Sequence, residues 1–201
     1  DAGAGDDRII MSTEYVSVVG GVGTDQLTLT GTNANAINLT TVGIEWISAG
    51  DGNDNIDGSG QLVALTIDGN DGDDVLKGGT ASDTIYGAEG DNTVSGNAGN
   101  DFLYAGSGND TILGGTGDDY IDAGTGNNTI DGGTGANRLY SGAGIDLITG
   151  GDGADDIRSG AGADTITGGL GNDYIDAGTG RDTASYSTAT VGVTVDLNLT
   201  I

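Results

Sequence analysis

The chain has no cysteine, no histidine and no proline, and it carries only 5 lysines and arginines against 31 aspartates and glutamates. Without cysteine it forms no disulfides, and without cysteine or histidine it lacks the thiolate and imidazole ligands that zinc prefers. The same absences exclude a nucleophile that is activated by a histidine or cysteine base. The net charge of -26 argues against nucleic-acid binding, which needs basic side chains to neutralise phosphates.

Apolar side chains are also scarce. Hydrophobic residues make up 35% of the 201 residues, while 42 residues are glycine. In an ordinary chain this composition indicates marginal folding or disorder, because too little apolar surface is available to offset the loss of chain entropy. The sequence shows neither a signal peptide nor a membrane span.

What the chain does contain is a nine-residue repeat that runs without a break over the 117 residues from Gly69 to Ser185, which is 13 units. Its pattern is Gly-Gly-x-Gly-x-Asp-x-U-x with U aliphatic, as in 114-GGTGDDYID-122 and 168-GGLGNDYID-176. Glycines at positions 1, 2 and 4 allow positive φ and close backbone approach, which predicts a sharp turn. Positions 7 to 9 then form a short strand.

Position 8 of each unit points opposite to positions 7 and 9, and it forms the predicted core. One unit buries a single aliphatic side chain and cannot fold alone, but two units make an 18-residue coil. Coils stacked about 4.8 Å apart build two parallel sheets around a narrow aliphatic core. The core positions are Leu76, Ile85, Val94, Leu103, Ile112, Ile121, Ile130, Leu139, Ile148, Ile157, Ile166, Ile175 and Ala184.

Position 6 supplies carboxylates that stack from coil to coil. Like charges about 4.8 Å apart repel one another unless a cation lies between them. Ca²⁺ takes six to eight oxygen ligands, which carboxylates and glycine-turn carbonyls can provide, whereas Mg²⁺ prefers a tighter octahedron that keeps its waters. We therefore predict several Ca²⁺ ions along the stack. In the regular units the ligands are Asp74, Asp83, Asp101, Asp110, Asp119, Asp146, Asp155, Asp164, Asp173 and Asp182.

Six further position-6 residues complete the predicted calcium ligands. Asp7, Asp25 and Asp54 lie in irregular units near the N-terminus, and Asn92, Asn128 and Asn137 replace aspartate in regular units. Asparagine keeps one oxygen and loses the charge. Asp91 is expected to compensate beside Asn92, so that the weakest sites are predicted near Asn128 and Asn137.

The nonapeptide resembles the calcium-binding repeat of RTX (hemolysin-type) exoproteins. The resemblance covers nearly the whole chain, and it implies an all-β fold, a right-handed parallel β-roll (β-solenoid) of 18-residue coils with stacked calcium sites. RTX exoproteins include surface-layer proteins, adhesins, and the C-terminal parts of secreted proteases, lipases and alginate epimerases. The resemblance therefore also implies type I secretion, an extracellular or bacterial cell-surface location, and folding when calcium is met outside the cell.

Three regions are predicted. Residues 1–68 form an irregular roll with a strand insertion at 29–48, in which Trp46 is expected in the core and two further strands widen the roll. Residues 69–185 form the regular roll of 13 nonapeptides. Residues 186–201 begin a further β module or form flanking strands. The chain begins inside a unit and ends on a strand-like run, which is typical of a fragment of a longer protein.

The outward positions leave the biological role open. Sorting the units by parity places Tyr86, Phe102, Tyr104, Tyr120, Tyr140 and Tyr174 on one sheet, and a column of threonines, interrupted by Leu147, on the other. These columns are interpreted as structural ladders, with a glycan or domain-docking face and an ice-binding face as alternatives. Partners are therefore calcium ions and, as further hypotheses, neighbouring copies or domains of the same exoprotein or a glycan surface.

Catalysis is the weaker hypothesis. Adjacent acids such as Asp118 and Asp119, or Asp155 and Asp156, suggest a glycosidase pair, but each pair contains a carboxylate already assigned to calcium. We predict a non-enzymatic structural or adhesive segment. The alternative is the calcium-binding secretion and folding domain of an exoenzyme whose catalytic domain lies elsewhere.

Overall fold

The computed structural model describes residues 2–12, 18–33, 35–39 and 43–186, together with the backbone of residues 194–196. These residues contain strands and turns but no helix. The strands, in chain order, are β1 (Gly3–Ala4), β2 (Arg8–Met11), β3 (Gly21–Val22), β4 (Gln26–Leu29), β5 (Ala36–Asn38), β6 (Trp46–Ser48), β7 (Asn55–Asp57), β8 (Thr66–Asp68), β9 (Val75–Lys77), β10 (Thr84–Tyr86), β11 (Thr93–Ala98), β12 (Phe102–Tyr104), β13 (Thr111–Thr116), β14 (Tyr120–Asp122), β15 (Thr129–Thr134), β16 (Arg138–Tyr140), β17 (Leu147–Asp152), β18 (Asp156–Arg158), β19 (Ala161–Gly162), β20 (Thr165–Leu170), β21 (Tyr174–Asp176), β22 (Thr179–Gly180), β23 (Thr183–Ser185) and β24 (Thr194–Asp196).

Most strands belong to two long parallel sheets, which the chain visits alternately. The eleven-stranded sheet has the order β2-β4-β6-β8-β10-β12-β14-β16-β18-β21-β24, and the nine-stranded sheet has the order β23-β20-β17-β15-β13-β11-β9-β7-β5. Paired residues in the regular part are 18 apart, as in Ile85 with Leu103 and Leu103 with Ile121. The predicted parallel β-solenoid of 18-residue coils is confirmed.

Position 8 fills the space between the sheets. From Leu76 to Ile175 these side chains are buried, with at most 1% of their surface exposed, while Ala184 at the end of the regular part is half-buried. Each coil thus contributes two aliphatic side chains to one continuous core. The core extends into the irregular part through Ile37, Ile47 and Ile67, which stack in the same two columns.

The geometry of the turns explains why positions 1, 2 and 4 of the repeat are glycine. In most units positions 2 and 4 adopt positive φ, for example 111° at Gly115 and 127° at Gly117, a region that side chains with a Cβ disfavour. Position-1 glycines such as Gly150 do not have positive φ. They are needed for space instead, since a Cβ on Gly150 would collide with Asp155 Oδ2 and with the carbonyl oxygen of Gly168.

The insertion at residues 29–48 differs from the prediction in two respects. Its strands β5 and β6 add coils along the stack and do not widen it, because β5 pairs with β7 while β6 lies between β4 and β8. The core prediction for Trp46 is wrong. Its side chain is 45% exposed, and the neighbouring Ile47 is fully buried. Ile47 occupies position 8 of this coil, so Trp46 at position 7 points outward.

The two outer faces carry the columns expected from unit parity. The aromatic residues of the regular part lie on strands of the eleven-stranded sheet, and the threonines begin strands of the nine-stranded sheet. In the nine-stranded sheet most strands of the regular part run for six residues and include the following glycine pair, whereas those of the other sheet stop after three. No helix in the described part of the chain is long and apolar enough to cross a membrane.

Candidate metal centre

The position-6 side chains form two ladders, one along each edge of the roll. The nine-strand ladder precedes strands of the nine-stranded sheet, and in the regular part it includes Asp74, Asn92, Asp110, Asn128, Asp146 and Asp164. The eleven-strand ladder precedes strands of the other sheet and includes Asp83, Asp101, Asp119, Asn137, Asp155 and Asp173. In both ladders a backbone N–H donates to the Oδ1 atom of the residue 18 positions later, for example from Asp83 to Asp101 Oδ1 at 2.7 Å and from Asp101 to Asp119 Oδ1 at 2.9 Å. This bond fixes each carboxylate inside the turn.

The second carboxylate oxygen, Oδ2, has no such partner in most of the aspartate units. These oxygens are buried, and a buried carboxylate oxygen without a donor loses its hydration and gains nothing in exchange. Oδ2 atoms in this state belong to Asp7, Asp25, Asp54, Asp74, Asp101, Asp110, Asp119, Asp146, Asp155 and Asp164.

A backbone carbonyl of the next coil lies close to the unpaired oxygen. Asp155 Oδ2 and the carbonyl oxygen of Gly168 converge on the space that a Cβ on Gly150 would fill, and Asp101 Oδ2 with the carbonyl oxygen of Gly114 do the same beside Gly96. Two hydrogen-bond acceptors that face each other repel. Either a proton on the carboxyl group or a cation removes this repulsion.

The pKa values of these carboxyls are raised by the same features. Burial, reinforced by neighbouring carboxylates, raises the pKa of Asp74 and of Asp101 to about 7. Burial raises the pKa of Asp110 and Asp119 to about 6, and the pKa of Asp83 in the same direction. Without a cation, these carboxyls therefore bind their protons more tightly than ordinary aspartates do.

The donor set fits a hard cation. The groups that converge are carboxylate and carbonyl oxygens, which are the ligands that Ca²⁺ prefers. Among the described residues, no group of three or more acidic side chains is arranged to hold a metal ion by itself. Backbone carbonyls must therefore supply most of the ligands, as the open glycine turns permit. Calcium bound beside Asp74, Asp101, Asp119 or Asp155 would supply the positive charge that these ladders lack.

The family model of the RTX calcium-binding nonapeptide repeat matches residues 40–61, 68–103, 77–112, 86–121, 113–148 and 149–184, which together cover more than half of the chain. The chain belongs to this family. Calcium binding by its repeats is thus supported by both the sequence model and the unpaired oxygens of the ladders. A search among curated proteins gave no match.

Not every RTX repeat of this chain has the same environment. Asp83 differs because its Oδ2 accepts a hydrogen bond from the N–H of Gly79 at 2.5 Å. Its unit has Ala81 where the repeat has its third glycine, and neither Gly79 nor Ala81 has positive φ. One coil earlier, the buried side chain of Leu65 occupies position 6. Asp7 and Asp182, near the two ends of the described roll, are only half-buried.

Two position-6 residues escaped the sequence analysis. Glu45 accepts the N–H of Asp25 through Oε2 at 2.7 Å, and it therefore continues the eleven-strand ladder. Asn35 begins the nine-strand ladder, since its N–H donates to Asp54 Oδ1. The available signal was a polar side chain directly before a short x-U-x strand, which both residues share although each unit keeps only one of the three repeat glycines, Gly31 and Gly43.

A further ladder at position 5 was also missed. Here the oxygen of one coil accepts the N–H of the next, as in Asp91 to Asn109 at 2.6 Å and Asn109 to Asn127 at 2.9 Å. Asp91 is exposed, and its Oδ1 bonds to Asn109. These bonds satisfy the backbone N–H groups on the outer side of the turns. The sequence signal for this ladder was the run of Asp, Asn and Ser at position 5.

Proposed function

We propose that this chain is a non-enzymatic, calcium-loaded β-roll segment of a secreted or cell-surface bacterial protein, with a structural or adhesive role such as that of an adhesin or surface layer. The observation that carries the proposal is the set of buried, unpaired Oδ2 atoms stacked along both edges. A chain of net charge -26 with such ladders folds where calcium is plentiful and stays unfolded where it is scarce.

The calcium affinity expected from the ligands supports an extracellular setting. Extracellular calcium modules bind their ions at about 10⁻⁴ to 10⁻³ M. Most aspartate units offer one carboxylate oxygen with no hydrogen-bond partner. If backbone carbonyls supply the remaining ligands, the low charge of such a site favours affinities in that weak range. Such a chain passes through a secretion channel unfolded and folds after export.

The aromatic column supports a structural role over a glycan-binding face. Tyr86 and Tyr104 stack with their ring centroids 5.2 Å apart, and Tyr120 contacts Tyr104 at 5.7 Å and Tyr140 at 5.4 Å. The guanidinium of Arg158 lies 5.5 Å from the centre of the Tyr140 ring. Ring contacts that continue from coil to coil stabilise the stack of coils, which favours the structural interpretation of this column.

Circular dichroism during a calcium titration at neutral pH tests the proposal, with magnesium as the control ion. We expect a cooperative transition from coil to β-structure with calcium and none with magnesium at the same concentration. Complete β-structure in chelator would contradict calcium-triggered folding. Sedimentation velocity at both ends of the titration then tests the role, because calcium-dependent oligomers favour a surface assembly and a strict monomer favours the domain of an exoenzyme.

A further inference from the structure

The nine-strand ladder contains asparagines whose amide nitrogens occupy the place that the unpaired Oδ2 atoms have elsewhere. Asn92 Nδ2 donates to the carbonyl oxygen of Gly90 at 3.1 Å and to that of Ala105 at 3.4 Å. Asn128 Nδ2 donates to the carbonyl oxygen of Gly126 at 3.3 Å and to that of Ser141 at 3.2 Å.

Asn35 repeats the arrangement in the irregular part. Its Nδ2 donates to the carbonyl oxygen of Ala49 and to Asp54 Oδ1, both at 2.9 Å. Ala49, like Ala105 and Ser141, is the position-1 residue of the next coil. The acceptor in each case is the carbonyl that faces a bare carboxylate oxygen in the aspartate units.

The orientation of these amides is fixed by the ladder itself. Asn92 Oδ1 accepts the N–H of Asp74 at 2.9 Å, and Asn128 Oδ1 accepts the N–H of Asp110 at 2.9 Å. A flipped amide would place its NH₂ against a backbone N–H, and two donors repel. The single amide oxygen therefore stays on the backbone N–H, and the amide has no other oxygen to turn towards a cation.

We propose that Asn35, Asn92 and Asn128 are built-in substitutes for calcium, which close their coils with an amide where other coils need an ion. The side-chain NH₂ supplies the positive end of a dipole to the carbonyl, and the site holds no negative charge to be neutralised. The proposal sharpens the expected weak site near Asn128 to the absence of an ion there. It also replaces the expectation that Asp91 compensates beside Asn92, since Asp91 is exposed and bonded to Asn109. It requires calcium binding by the aspartate units, but not a surface role.

The placement of these asparagines also spaces the charges. From Asp74 to Asp146 the nine-strand ladder alternates between aspartate and asparagine, with Asp110 between Asn92 and Asn128. Ionised carboxylates in this stretch are two coils apart, at about 9.6 Å, so their mutual repulsion is about half of that between adjacent coils. In this stretch the unpaired Oδ2 atoms of this edge belong to Asp74, Asp110 and Asp146, one in every second coil.

Asn128→Asp tests the proposal, with Asn127→Asp as the matched control. Both changes add one negative charge at neighbouring positions, but Asn127 is exposed and its Oδ1 already serves the N–H of Ile145. The readout is the number of calcium ions bound per chain, measured by equilibrium dialysis, together with the calcium midpoint of the folding transition. We expect N128D to bind one more ion than the wild type and to fold at a higher calcium concentration, and N127D to leave the number of ions unchanged.

An unchanged ion count in N128D would overturn the proposal. It would mean either that the asparagine site already held calcium or that this site cannot hold calcium even with an aspartate. Asp110→Asn keeps the test decisive if N128D does not fold. D110N is expected to bind one ion fewer and to fold at a lower calcium concentration. A midpoint shifted to higher calcium would refute the proposal that an asparagine amide replaces the ion. These outcomes differ from a failure of calcium-triggered folding, which would appear as β-structure in the wild type without calcium.

Discussion

The buried carboxyls predict an unusual pH dependence for the calcium-free chain. A carboxyl whose pKa is raised by folding binds its proton more tightly in the folded state than in the unfolded state. Its contribution to stability is fully present below the unfolded pKa of 3.8, and it is lost as the pH rises through the folded pKa, which is about 7 for Asp101. Without calcium, the roll is therefore most stable in acid and loses stability between about pH 4 and pH 7.

Asp101→Asn isolates one of these carboxyls. A shift from 3.8 to about 7 corresponds to about 4 kcal/mol at pH above 7, which is comparable to the whole stability of many domains. In D101N the retained Oδ1 still accepts the N–H of Asp83, and Nδ2 faces the carbonyl of Gly114. The variant should therefore gain about 3 to 4 kcal/mol of calcium-free stability at neutral pH and nothing at pH 3.5.

The assay is circular dichroism as a function of pH in calcium-depleted buffer, at concentrations where sedimentation velocity reports a monomer. Asp131→Asn is the control, because Asp131 is exposed and its Oδ1 serves only the nearby N–H of Gly133. We expect the pH of unfolding to rise clearly in D101N and to stay within experimental error in D131N. Equal shifts in the two variants would refute the reasoning, since net charge alone would then explain the effect.

Three further predictions concern packing and space. Ile121→Ala should cost about 2 to 5 kcal/mol in excess calcium, measured by denaturant unfolding, because Ile121 is fully buried between the sheets; a loss below about 1 kcal/mol would contradict its core role. Gly150→Ala should abolish calcium binding beside Asp155, measured as one ion fewer per chain, whereas Gly60→Ala, where a Cβ meets nothing within 4 Å, should bind the wild-type number. Tyr120→Ala should lower the unfolding free energy by about 1 to 3 kcal/mol through loss of its ring contacts, and an unchanged value would argue that the aromatic column serves a ligand instead of the stack.

The period of the repeat was sufficient to predict the two parallel sheets, the core column and the carboxylate ladders. A ninefold phase with one aliphatic position leaves one arrangement in which Ile85, Leu103 and Ile121 share a core and Asp83, Asp101 and Asp119 share an edge. In this part of the chain local pattern and global fold agree, and prediction is straightforward.

Where the period breaks, the sequence does not determine the coil register. In the insertion Trp46 and Ile47 are adjacent apolar residues. A shift of the strand register by one residue exchanges which of the two side chains points inward. Only the pairing of Ile47 with Leu27 and Ile67 decides this, and it also places Glu45 at position 6. The roles of Asn92 and Asn128 likewise depend on where an amide nitrogen lies, which no sequence pattern specifies.

Anomalous scattering from crystals grown with calcium would test the central claim most directly. The account predicts calcium peaks beside Oδ2 of the buried aspartates with unpaired oxygens, such as Asp74, Asp101, Asp119 and Asp155, and no peak beside the amide nitrogens of Asn92 and Asn128. Ordered ladders with hydrogen-bonded, protonated carboxyls and no calcium at neutral pH would contradict it.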